Sequence, residues 1–140
     1  MKLLMTILLC MLMPCEVFAT DYLVEDGDMF GLLKLTGYDT LLMTGGEVEF
    51  LDAYDHSLIS LHGGQIIDSL WVEDTTSWVH VYGYGFRNTR EDHFQGFWAD
   101  GTPFTIKPIG GTYGQIVLHE VPEPSAFCLM GLSGLFLRKR

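Results

Sequence analysis

Two Gly-Gly pairs, Gly45-Gly46 and Gly63-Gly64, stand 18 residues apart, each closing a short apolar run. The surrounding residues repeat as well. Tyr38-Asp39-Thr40-Leu41-Leu42-Met43-Thr44-Gly45-Gly46 is echoed by Tyr54-Asp55-His56-Ser57-Leu58-Ile59-Ser60-Leu61-His62-Gly63-Gly64. A looser copy runs Glu73-Asp74-Thr75-Thr76-Ser77-Trp78-Val79-His80-Val81-Tyr82-Gly83. The copies start 16 and 19 residues apart. A fixed period near 20 is the mark of a stacked architecture, in which no single unit buries enough apolar surface and each leans on the next.

The unit is a strand unit. Between residues 20 and 120 the chain is rich in Gly, Thr, Tyr and Val, and no apolar stretch keeps a helical period for long. The expectation is an all-β domain: a short β-solenoid of three to four coils. Its end needs a cap, and the segment from Phe94 to Glu120 supplies one as a β cap. There, Ala99-Asp100-Gly101 marks a turn. Tyr113 to Glu120 alternates as a strand, with Ile116, Leu118 and Glu120 on one face and Val117 and His119 on the other. The same strands joined by hairpins would instead give a small β-sandwich or jelly roll.

The two ends read as addresses, an N-terminal signal helix and a C-terminal apolar helix flanking the domain. Residues 1–19 have Lys2, an apolar run from Leu3 to Met13 broken only by Thr6, then Pro14 and Val17-Phe18-Ala19. This is the order of a secretory signal, with cleavage between Ala19 and Thr20 by signal peptidase. The run is too short for a spanning helix, which takes roughly 20 residues. Residues 121–140 begin Val121-Pro122-Glu123-Pro124-Ser125, continue as an apolar run from Ala126 to Leu137, and close on Arg138-Lys139-Arg140. The prolines deny the segment helix and sheet and leave it extended. The basic cluster holds the end on the cytoplasmic side.

That order resembles the PEP-CTERM sorting signal of Gram-negative bacteria. The resemblance implies an exosortase-type membrane protease or transpeptidase as partner. It assigns recognition to Pro122, Glu123 and Pro124, with cleavage near them, and points to an envelope or matrix setting with extracellular polysaccharide. In this chain the apolar run would reach about 18 Å as a helix, short of a hydrocarbon core of about 30 Å. The tail therefore suits transient membrane attachment better than lasting anchorage.

Charge narrows the partners. From residue 20 to 121 sixteen carboxylates face only Lys34, Arg87, Arg90 and Lys107. Such a surface repels phosphate backbones, so no nucleic-acid partner is expected. Cys10, Cys15 and Cys128 all lie in the terminal segments. The domain between them has no disulfide or thiolate site and must hold by packing and hydrogen bonding.

No catalytic motif stands out, and the chain is read as a non-enzyme: an exported structural or adhesive protein of the envelope or matrix. Asp92 and Asp100 flank Phe94, Phe97 and Trp98. Paired acids at a defined separation are what glycoside hydrolysis needs, but the aromatics suit the core of a cap. The alternative is a glycan-binding module using Tyr82, Tyr84 and Trp98. Asp39, Asp55 and Asp74 take the same place in the three copies, and stacking would set them in a column that needs a cation such as calcium. The plainer reading has each aspartate starting a turn. His62 and His80, 18 apart, would stack on one face. No other cofactor is expected.

Overall fold

The computed structural model describes residues 19–89 and 93–124. The signal helix and the apolar tail helix expected at the ends, with Arg138, Lys139 and Arg140, lie outside these residues, as does Asp92.

Strands predominate among the described residues. Its elements are β1 (Asp21–Val24), β2 (Met29–Leu35), β3 (Thr40–Ala53), β4 (Leu58–Val72), β5 (Trp78–Asn88), β6 (Phe94–Phe97), β7 (Pro103–Ile106), β8 (Pro108–Ile109) and β9 (Ile116–Glu120), with one 3-10 turn at Thr112–Gln115. The pairing decides between the two expected folds. β1 and β2 both lie parallel on β3, β3 on β4, β4 on β5, and β5 on β9. Hairpins would make these pairs antiparallel. The chain is thus a β-solenoid-like stack of about three turns: β1 with β2, then β3, then β4, followed by a partial turn.

Alternation builds the core. In β3, Leu41, Met43, Val48, Leu51 and Ala53 are buried while Leu42, Thr44, Glu49 and Phe50 are exposed. Because successive turns stack in register, inward residues form columns. One runs Val24, Met43, Leu61, Val81. Another runs Leu33, Leu51, Leu70, Pro108. Burying each such Leu, Ile or Val is worth about 1.5–3 kcal/mol, so the stack is held mainly by these columns.

Each turn bends at two corners. The Gly-Gly pair makes the first, where backbones of successive turns touch. A Cβ on Gly63 would stand 2.2 Å from the Thr44 carbonyl oxygen, and one on Gly64 only 2.4 Å from that of Gly45. No larger residue fits. The second corner is lined inside by Asp39, Ser57 and Ser77, all buried. Asp39 accepts the Thr36 and Thr20 N–H groups at 2.9 and 2.8 Å. Ser57 Oγ donates to Ser77 Oγ at 3.2 Å.

The last part of the chain departs from the cap expected over 94–120. After Gly83 the chain leaves the stack. β5 continues as the first of three antiparallel strands with β6 and β7. β8 then rejoins β4 at Leu70 and Trp71, and β9 lies on β5 as one more rung. The hairpin is therefore an excursion from the fourth turn, and β9 belongs to the solenoid. Phe94, Trp98, Phe104 and Ile106 are buried in the same core as the columns.

Candidate functional site

The Gly-Gly corner is bare backbone, and the hairpin excursion leans over it. Trp98 makes the join: its indole N–H donates to the Gly64 carbonyl at 2.9 Å, and its ring stacks on Phe104 at 4.0 Å. Between corner and hairpin lies a cleft of about 720 Å³. Its polar walls include Asp28, Glu47, His62, Gln65 and Asp100. Asp28 accepts the Glu25 N–H at 3.0 Å. Asp100 accepts the Thr102 N–H at 2.8 Å, and that bond holds its carboxyl below the ordinary value. The cleft presents acceptors for hydroxyl or ammonium donors over a glycine floor.

Beside the cleft, on the outer face of the sheet that joins β4, β5 and β9, rings stack from rung to rung. His62 lies on Tyr82 at 4.1 Å and Tyr82 on His119 at 4.4 Å, each pair within 9° of parallel. His80 meets His119 with Nδ1 and Nε2 2.8 Å apart. Burial pushes both His62 and His80 below the usual histidine value, and His119 beside them adds to it. Further across the same face, Leu23, Leu42, Leu58 and Trp78 remain 53, 41, 41 and 43% exposed.

The glycan trio is not assembled as expected. Trp98 is 4% exposed and belongs to the core. Tyr82 has a histidine on each face of its ring, leaving no face for a sugar. Tyr84 is half-buried against Phe97 at 5.5 Å. The sequence spacing hid this because an aromatic beside acids looks the same whether it faces solvent or a neighbouring rung.

The aspartate column does not form either. At this corner the register is 18, so Asp39 aligns with Ser57, not with Asp55, as the Thr40–Leu58 pairing requires. Asp55 sits instead over Gly37, whose N–H it accepts at 3.1 Å, and has a φ of 59°. Asp74 caps its own corner, accepting the N–H groups of Thr76 and Ser77 at 3.0 Å each. The aspartates are thus turn-formers at different positions. Among the described residues no group of three or more His, Cys, Asp or Glu side chains is placed to hold a metal ion.

His62 and His80 also fail to align. The third corner is longer, shifting the offset to 20, so Ser60 lies under His80. His119 is the partner that the spacing could not offer, because the hairpin separates its rung by 37 residues from the one beneath. The signal that could have found it is the match of Ile116-Val117-Leu118-His119 with Val79-His80-Val81-Tyr82 in apolar alternation.

At the ends, Ala19 and Thr20 are exposed, with the Thr20 N–H on Asp39. Val121 donates to the Gly83 carbonyl at 2.8 Å, and Pro122, Glu123 and Pro124 follow, exposed. No helix among the described residues is long and apolar enough to cross a membrane. Comparison of the chain with protein-family models, curated proteins and solved structures yields no match in any of the three.

Proposed function

We propose that this chain is an exported, non-enzymatic protein of a bacterial cell envelope or extracellular matrix, sorted through its C-terminal tail, with the solenoid as a structural or adhesive body. Signal peptidase and an exosortase-type membrane protease are its processing partners. The adhesive part of the reading rests on one observation: the exposed apolar face of Leu23, Leu42, Leu58 and Trp78. Contiguous exposed apolar surface on a folded domain marks a contact surface. Strand pairing holds these side chains on a rigid sheet, so a partner meets them at little entropic cost. The exposed Pro122, Glu123 and Pro124 after the last rung suit access by a protease.

Intact mass of the protein recovered from cells and from medium tests the sorting. The expected released form starts at Thr20 and ends near Glu123; a released form keeping Arg140 overturns it. Retention on isolated matrix tests adhesion. Replacing Leu58 and Trp78 with serine should lower retention at least tenfold while leaving circular dichroism unchanged, and unchanged retention counts against this face.

A second reading is favoured by the cleft. Glycan hydroxyls suit its carboxylates, Gln65 and His62, and calcium bridging would add affinity. Glycan-array binding with and without a chelator tests it, and Gln65→Ala with Glu47→Ala should abolish any signal.

A further inference from the structure

We propose that the start of the apolar tail, Ala126 to Met130, docks back on the solenoid and closes its open C-terminal end, with Phe127 and Leu129 pointing into the core. The stack stops half a turn short. One wall carries five rungs, from β1, β3, β4, β5 and β9. The opposite wall carries four, from β2, β3, β4 and β8. Among the described residues no strand continues that wall beyond β8, so β9 faces none across the core. The consequence shows at Leu118. It continues the inward column of Val24, Met43, Leu61 and Val81, each at most 1% exposed, yet is itself 43% exposed. Beside it opens an apolar groove of about 220 Å³, with Phe86, Phe94, Tyr113, Ile116 and Leu118 among its walls. A stack whose last rung turns its core side to water needs a cap.

The residues that follow β9 have the apolar positions to supply it. In the complete turns, an inward residue of the first wall is followed eight or nine residues later by its counterpart on the second: Val24 by Leu33, Met43 by Leu51, Leu61 by Leu70. Two residues further stand Leu35, Ala53 and Val72, all buried. Counting nine and eleven from Leu118 gives Phe127 and Leu129. Phe127 then extends the column of Leu33, Leu51, Leu70 and Pro108. The reach suffices. Val121 is fixed on the Gly83 carbonyl, and the six residues from there to Phe127 span up to about 20 Å, against about 10 Å between packed sheets. Pro122 and Pro124 do not bar the path, because an added rung is an edge, where proline is tolerated. A second copy fits less well: its β1 laid on β9 leaves the half-turn above β8 vacant. Docking precedes any cutting of the tail or entry into a membrane, so it stands apart from the sorting reading.

The test uses the full-length chain made by cell-free synthesis without detergent or membranes, with Cys10→Ser, Cys15→Ser and Cys128→Ser to remove competing thiols. Adjacent rungs lie about 4.8 Å apart, within the Cα separation of about 4.4–6.8 Å that a disulfide spans. On mild oxidation, Pro108→Cys with Phe127→Cys should form an intramolecular disulfide at least ten times faster than Pro108→Cys with Leu135→Cys. Equal rates overturn the proposal. A disulfide that forms only between chains assigns the open end to a second copy and overturns it too. A second readout leaves Pro108 in place. Leu118→Cys is labelled with a maleimide, and adding Phe127→Asp with Leu129→Asp should speed labelling at least tenfold. Leu135→Asp with Leu137→Asp should leave the rate unchanged. Labelling that ignores the first pair, or responds equally to the second, overturns the docking.

Discussion

Single side chains set the corners, and their chemistry is open to titration. At Asp74, burial disfavours the charged form. The hydrogen bonds from the Thr76 N–H, the Thr76 hydroxyl and the Ser77 N–H outweigh it and hold the carboxyl below its ordinary value. A carboxylate depressed in the folded state adds stability above the unfolded value, about 3.9, and loses it as pH falls through the folded value. The melting temperature should therefore fall below about pH 4, and Asp74→Asn should flatten that fall. An unchanged acid profile in the variant would remove Asp74 from the account. Asp39 offers a second test. Its carboxylate accepts the Thr20 N–H at 2.8 Å. Cleavage before Thr20 converts that amide into an ammonium, and a charged pair outweighs a neutral donor by about 1 kcal/mol. With the chain trimmed to begin at Thr20, Asp39→Asn should cost more when the terminal amine is free than when it is acetylated. Urea midpoints measure the difference, and equal losses count against the pair. These roles were half legible. Aspartates beside Gly, Ser and Thr announce turns, but only the register tells which carboxylate lies inside a corner.

Between corners, the strand-and-glycine unit carries the fold, and it was the most legible part of the sequence. The 18-residue offset of the Gly-Gly pairs is the rung register where β3 meets β4 at Thr40–Leu58, whereas the Tyr-Asp starts, 16 apart, misplace it by two residues. The reason is physical: a glycine at a backbone contact has no substitute, while a corner tolerates its polar residues at any of several positions. Gly63→Ala should destabilise the chain by at least about 2 kcal/mol, since its Cβ enters the space of a carbonyl, with the Leu58→Ala change as an exposed reference. Thermal melts check this, and a loss below that of the reference refutes the contact. What sequence could not show was the excursion. Phe94 to Ile106 reads as short strands and a turn, with nothing local to say that the fourth turn resumes after it. Hence His119, Tyr82 and His80 looked like unrelated residues, although they adjoin.

For the molecule as a whole, turns add nearly independently, since each touches only its neighbours. Leu35 and Ala53 occupy equivalent places in successive turns. Deleting residues 36–53 should therefore splice one turn out and leave a β protein of lower melting temperature, read by circular dichroism. Complete unfolding would show that the turns do not add. The same construction has a mechanical consequence. The rungs lie across the stacking direction, so tension along it loads the hydrogen bonds of one rung interface after another instead of all together. Under load along the stack the chain would then yield by unspooling. Each turn of 18 residues releases about 60 Å of extended chain at roughly 3.4 Å per residue, and single-molecule pulling should record steps of that length. The solenoid would lengthen under tension and rewind when it is relieved, acting as a spring between whatever its ends hold.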